Sequence, residues 1–307
     1  MITNILSFLL LGTFWGGSFV AIKIAVGVTP PIFAALLRVT LSLVFLLIIF
    51  RLWGKPTTIP PKARLRVWTA GLFLQGLPFL LLFWGEKSVT PGIAGILNGT
   101  TALWTFLLAA IFFRHTEHIS IQKLIGMMIA LTGLVIIFWP KIFLPTVHPE
   151  VLGTLAVTGM ALCYGIGTVM SRALLASRFT IPQSAMIIHQ HFSSLLLLFV
   201  ATIVFEGVPN VAPFFHSWRA LTAVLYLSLC STAIAWIIFF SLLGKLGSVR
   251  TSSITYLIPL VAVLGDFLYF GRIPAGHEVI GALTILAGVA LIQLKNLLRS
   301  SPALTAV

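Results

Sequence analysis

Apolar runs of about twenty residues alternate with short polar breaks from one end of the chain to the other. The runs fall at about 4–26, 32–50, 67–85, 91–113, 121–139, 151–171, 184–205, 219–241, 250–270 and 279–297. A hydrocarbon core about 30 Å thick is crossed by about 20 apolar helical residues. Backbone groups in lipid must be satisfied within the segment, so each run reads as a transmembrane helix. The breaks carry turn chemistry: Thr29-Pro30-Pro31, Pro56 to Pro61, Thr90-Pro91-Gly92, Pro145 to Pro149 and Gly207 to Pro213. The pattern predicts an all-α membrane protein of ten transmembrane helices with short loops.

Composition agrees: 59% of the 307 residues are hydrophobic, 8% are charged, and mean hydropathy is +1.11. No room is left for a sizeable soluble domain. The net charge of +13 does not indicate nucleic acid, because the basic residues lie in short inter-helix loops. Thirteen Lys and Arg, from Arg51 to Arg299, fall on the side of the N-terminus; Lys87, Lys141, Arg219 and Arg272 fall on the other, and Lys23 and Arg38 lie in or near spans. This bias predicts cytoplasmic termini and an inner (plasma) membrane protein, and it requires an even number of spans. Cys163 and Cys230 each sit in an apolar run, which excludes a disulfide framework, and no metal-ligand spacing occurs. The first run lacks a basic n-region and an A-x-A-like cleavage site, so it reads as a span rather than a signal peptide.

The chain also repeats itself. Phe14-Trp15-Gly16 precedes Lys23, which lies eight residues after Trp15; Cys163-Tyr164-Gly165 precedes Arg172, eight after Tyr164. Arg38 follows Pro31 by seven residues, and His189 follows Pro182 by seven. Glu117 precedes Gly126 and Gly133 by the same nine and sixteen residues that separate Arg272 from Gly281 and Gly288. Two copies of five helices are predicted, over 1–140 and 150–300, followed by a cytoplasmic tail at 301–307. An odd number per copy inverts the second relative to the first. Inverted repeats are the architecture of alternating-access transporters, with substrate held between the copies near the midplane.

At these residues the chain resembles the drug/metabolite transporter superfamily, specifically its EamA-type members. The likeness runs through Phe14-Trp15-Gly16-Gly17-Ser18-Phe19, Pro31 to Arg38, Leu97 to Thr105, Glu117 to Gly133, Leu257-Ile258-Pro259-Leu260, Gly265, Gly271, and Gly281 to Gly288. It covers nearly the whole chain and implies a ten-helix inner-membrane protein, commonly an exporter of amino acids and related metabolites. The chain departs from the family pattern at Ala102, where Pro is usual, and at Arg272, where Glu is usual. It also has two extra residues between Ala102 and Glu117. Loss of the proline implies a straighter fourth span, because proline removes a helix hydrogen bond and kinks the helix.

Polar groups inside spans are costly, which makes them candidates. Lys23, near a span end, can carry its amine to the interface. Arg38 lies about 10 Å past the start of its span at 1.5 Å per residue, and a planar guanidinium suits a substrate carboxylate. His189 occupies the equivalent place in the second copy and is a candidate proton carrier. His191 lies about 200° around the helix from it, so the two do not share a metal site. Asp266 reads as the only acid clearly within a span and is the second coupling candidate. Trp15, Ser18, Gln75, Asn98, Thr101, Tyr164, Trp236 and Tyr256, with Arg38 and His189, form the candidate substrate-binding set, an aromatic-walled cavity with a few polar groups.

Span one holds no Asp or Glu, which argues against exchange of protons for cationic drugs on a first-span carboxylate. The chain has no phosphate-cradling Gly-rich loop and no catalytic cluster, so neither a nucleotide cofactor nor an enzyme is expected. The favoured reading is a secondary exporter of small amino-acid-like metabolites, with membrane lipid and protons as its other partners. The alternatives are an importer or carrier of another small metabolite and, in a different class, a membrane-embedded lipid-modifying enzyme.

Overall fold

A computed structural model describes residues 2–112, 121–142, 149–177 and 179–298. Glu117 and the tail at 301–307 lie outside the described residues. The described residues form helices and turns. Seven helices are long and apolar enough to cross a membrane: Leu6–Val26, Pro31–Leu52, Pro61–Glu86, Pro91–Ala109, Pro149–Leu175, Gln183–Phe205 and Trp218–Lys245. Three shorter apolar helices lie at Leu124–Ile137, Leu257–Phe270 and Gly276–Gly288. In chain order they fill the places of spans 1 to 10, as two five-span halves. We call the face where span 1 begins the near face and the opposite one the far face.

The spans begin where their sequences dictate. Spans 2, 3, 4 and 6 open on Pro31, Pro61, Pro91 and Pro149, because proline's missing N–H costs nothing in a first turn. Thr90 adds a side-chain cap to the start of span 4. Span 2 is capped from outside itself: the Ile32 and Phe33 amides donate to the Glu206 carboxylate, at 2.9 and 2.8 Å, at the end of span 7.

Four spans are broken in matching places. The third span of each half contains a π-helical segment, Leu72–Gly76 and Leu229–Ile234. Two residues after the first comes Pro78, which cannot donate to a preceding carbonyl. In the second, the Thr232 hydroxyl donates to the Leu227 carbonyl at 2.6 Å and so competes with the regular ladder. The fourth spans are interrupted too. Span 4 turns at Gly99 and Thr100 between Pro91–Asn98 and Thr101–Phe112; span 9 begins with the 3-10 turn Ser253–Tyr256 before Leu257–Phe270. Ala102 therefore does not straighten span 4. The Thr100 hydroxyl takes the Leu97 carbonyl at 2.7 Å, so Gly99 and Thr100 break the helix without proline.

The expected loop between about 241 and 250 is helical. Helix Ala235–Ser252 runs through it, since the stretch has glycines but no proline to stop it. A short helix, Ala212–His216, interrupts the loop before span 8.

The main core gathers spans 1 to 4 and 6 to 9. Spans 5 and 10 form a second unit against span 4, with Ile96, Leu103 and Phe106 meeting Ala130, Ile137 and Ile285. They meet backbone to backbone: a Cβ on Gly133 would lie 2.7 Å from the Gly281 carbonyl, and one on Gly288 would lie 2.4 Å from the Gly126 carbonyl. Small residues allow this approach in a membrane, where close packing substitutes for a hydrophobic driving force.

Candidate functional site

A narrow cavity of about 70 Å³ lies between the halves. Spans 1, 2, 3, 4, 6, 8 and 9 line it. Its aromatic wall is built from the two halves together. The ring centroids of Trp15 and Trp236 are 5.5 Å apart, and Phe239 stands 5.5 and 5.2 Å from them. Hydroxyl and amide groups of Ser18, Asn98, Thr101, Thr105 and Thr168 interrupt this wall. Among the described residues that line it there is no Asp or Glu, and Arg38 is the one Lys or Arg.

Arg38 is 2% exposed, and the π-helical segment of span 8 holds it. Its Nε donates to the Thr232 hydroxyl at 2.6 Å, and Nη2 donates to the Ser231 hydroxyl and carbonyl at 3.1 and 3.3 Å. The guanidinium carbon stands 4.1 Å from the Phe79 ring centroid and 5.9 Å from that of Phe83. These contacts replace some of the water a buried cation loses. Nη1 is left without a hydrogen-bond partner, as are Trp236 Nε1 and the Thr101 and Thr105 hydroxyls. The site thus offers a fixed cation, spare donors and apolar walls, a chemistry suited to a small molecule with an anionic or acceptor-rich end.

Of the ten residues proposed for binding, Trp15, Ser18, Arg38, Asn98, Thr101, Tyr164 and Trp236 line this cavity. Gln75 does not: it is fully buried in the π-helical segment of span 3, and neither end of its amide has a partner. The Tyr256 side chain lies outside the described residues. His189 lies away from the cavity, half-buried toward the near face, where Trp68 Nε1 donates to its Nδ1 at 3.3 Å. Its neighbour His191 is fully buried between Ser42 and the Ile187 carbonyl, at 3.2 and 2.9 Å. Span 7 serves as glue here: Gln190 bonds Ser171, Ser193 bonds the Trp68 carbonyl, and Ser194 bonds the Gly71 carbonyl.

Asp266 lies at the far face, not in the cavity. It accepts from the Gly92 amide at 3.0 Å and lies 3.6 Å from Arg272. Arg272 also bonds Thr90 and pairs with Glu278 at 3.0 Å. Asp266 is not the only intramembrane acid, because Glu86 at the end of span 3 is fully buried. It stands seven residues after Phe79 and three after Phe83, on the face of span 3 that carries Arg38's aromatic contacts. That spacing was its signal in the sequence. Phe79, Thr105, Thr168 and Phe239 also line the cavity; such residues are common in membrane helices, so the sequence alone does not single them out as lining.

Comparison with known proteins places this geometry. The model of the EamA-like transporter family matches residues 2–139 and again 151–294. The chain belongs to the EamA-like transporter family. It is similar to Protein PagO of Salmonella typhimurium, at 28% identity over 92% of this chain and 90% of that one. It shares 26% identity with the uncharacterized transporter YoaV of Bacillus subtilis, over 90% and 91% of the two chains. It shares 24% with a probable amino-acid metabolite efflux pump of Escherichia coli, over 92% and 91%. A crystal structure with 21% sequence identity superposes at a TM-score of 0.69, covering 95% of this chain and 98% of the other, and so shares the fold. This EamA-like protein is a multi-pass membrane transporter with a duplicated helical architecture.

Proposed function

We propose that this transporter exports small amino-acid-like metabolites across the inner (plasma) membrane by alternating access, with both termini in the cytoplasm. The observation that carries this reading is the cavity between the halves, with aromatic walls and, among its described lining residues, Arg38 as the one Lys or Arg and no acid. An α-carboxylate meets the guanidinium at Nη1, and the rest of the molecule packs among Trp15, Trp236 and Tyr164. A pocket without a carboxylate disfavours cationic drugs. The similarity to a probable amino-acid metabolite efflux pump supports the substrate class, and the excess of Lys and Arg in near-face loops supports the orientation. His189, near the Trp68 end of span 3, is proposed to tune the cytoplasmic entrance, and Asp266 to hold the outer face shut.

Purified protein in liposomes, loaded with a panel of labelled amino acids, tests the reading. Efflux of aromatic and aliphatic members that is lost in Arg38→Gln at equal protein level is expected. Transport confined to cationic compounds, or an unchanged rate in Arg38→Gln, would reject it. Comparing the metabolites released by cells with and without the protein settles the direction of net movement.

A further inference from the structure

The outer ends of spans 1, 3 and 9 enclose a polar cluster that the substrate site does not use. Lys23 Nζ donates to the carbonyls of Glu86, Lys87 and Val89, at 2.6, 3.3 and 2.9 Å. An ammonium has three donors, and all three are spent on the backbone at the negative end of span 3. Lys23 therefore makes no hydrogen bond to the Glu86 carboxyl group.

The other carboxylates at this face are held. Asp266 takes the Gly92 amide and lies beside Arg272. Glu278 takes Arg272 and the Ala275 amide. Glu206 takes two amides of span 2. Glu86 differs: it is 0% exposed, and neither Oε1 nor Oε2 has a hydrogen-bond partner. The charged groups around it are Lys23 on span 1, Arg38 on span 2 and Asp266 on span 9. Span 6, packed along the outer half of span 3, brings Glu150 in its first turn and Tyr164 on the cavity wall. Span 7 ends at Glu206, already bonded, and the outer half of span 4, Pro91–Asn98, has no ionisable residue. Lys87, beside Glu86 in sequence, is exposed.

A carboxylate with no hydrogen bond in a dry site is strongly disfavoured even near cations, because Coulomb attraction seldom repays lost hydration without good geometry. The neutral acid tolerates that site far better. We propose that Glu86 is a proton-binding site of the outer gate, holding its proton while the gate is closed around Lys23 and releasing it to the outer water when the gate opens. The step breaks the carboxyl O–H bond, leaves the electron pair on the carboxylate and passes the proton to water. Closing reverses it. The proposal rests on the alternating-access reading above, and it gives the cycle a proton whose binding depends on the gate.

Two measurements that need no substrate test it. Infrared spectra of the purified protein in lipid at neutral pH should contain a protonated-carboxyl band that disappears in Glu86→Gln and persists in Asp266→Asn. A band unaffected by Glu86→Gln, or none at all, overturns the proposal. The second uses nitroxides at Gly27→Cys and Ile273→Cys, on the outer ends of spans 1 and 9, with Cys163 and Cys230 replaced by Ser. Raising the pH from about 5 to about 9 should lengthen the distance in the parent protein and in Glu86→Asp, which keeps the acid, but not in Glu86→Gln. The same pH profile in Glu86→Gln, or one fixed distance in the parent protein, overturns it. Liposomes that move none of the amino acids while the Glu86 band is present would reject the substrate reading and leave the proton site standing. Transport without the band would reject the proton site alone.

Discussion

Arg38 is anchored on one side and uncommitted on the other. Thr232, Ser231 and the Phe79 ring fix its plane, while Nη1 keeps its donors free. Lysine retains the charge but has neither the fork nor the flat face. Arg38→Lys should therefore raise the apparent Kd for a transported amino acid by about tenfold, the equivalent of about 1.4 kcal/mol, with normal membrane insertion. Arg38→Gln should lose more, and titration of substrate into liposomes checks both. His189 gives a pH prediction. Its Nδ1 accepts the Trp68 N–H only while that nitrogen is unprotonated. Acidification therefore breaks a tie at the near face, and wild-type transport should change between about pH 8 and 5. Glutamine can accept the same N–H but does not titrate, so His189→Gln should flatten the profile. A profile as steep as wild type would make His189 structural. The two intramembrane groups that most needed explaining were unequally legible. Arg38 stood out as a charge seven residues inside a span. Glu86 fell one position beyond the expected end of span 3, where a carboxylate reads as a solvated loop group, and burial by neighbouring spans is not written in the local sequence.

The breaks in the helices decide where function can sit. A π-helical segment frees carbonyls and hydroxyls in the middle of a span, and the one in span 8 holds Arg38 through Ser231 and Thr232. Its counterpart in span 3 lies against span 6: a Cβ on Gly167 would fall 2.5 Å from the Leu74 amide nitrogen. Backbone cannot yield as a side-chain tip can, so Gly167→Ala should destabilise the protein by about 1–3 kcal/mol. It should also move the cavity wall at Leu74. A lowered unfolding temperature in detergent with reduced transport is the expected result, and a wild-type melting curve would show that span 3 can shift at no cost. Helix positions were legible because lipid enforces length and apolarity, and prolines marked the starts of spans 2, 4 and 6; span 3 starts at Pro61, six residues before its expected start at 67, because its first turns carry Lys62, Arg64 and Arg66 and are not apolar. The π-helical segments were not, since Pro78 and Thr232 are ordinary residues in membrane helices until their carbonyl partners are known. The interruption at Gly99 and Thr100 was misread for a related reason: attention to the missing proline at Ala102 hid the hydroxyl three residues from Leu97.

Across the whole molecule, matching features in the two halves carry the functional argument. The third spans both hold π-helical segments, the fourth spans are both interrupted, and the fifth spans, 5 and 10, pair through glycines outside the main core. Five spans per half make the second half enter the membrane from the opposite side, and the cavity forms where the two meet. This architecture fixes relative orientation but not which face is cytoplasmic. Charge decides that, because Lys and Arg in short loops resist translocation. At the near face Arg51 ends span 2, Lys55 lies in the loop after it, and Lys62, Arg64 and Arg66 lie in the opening turns of span 3, whereas the loop before span 8 has no Lys or Arg between Glu206 and Trp218. An alkaline phosphatase domain, active only outside the cytoplasm, should be inactive when fused after Val307. Inserted at Val208, which is 92% exposed in the loop after span 7, it should be active. Opposite activities at the two sites fix an odd number of crossings between them, and their direction. Activity after Val307 would invert the molecule, placing His189 at the outer entrance and the Lys23–Glu86 cluster inside, so that the same gate would then take its proton from the cytoplasm.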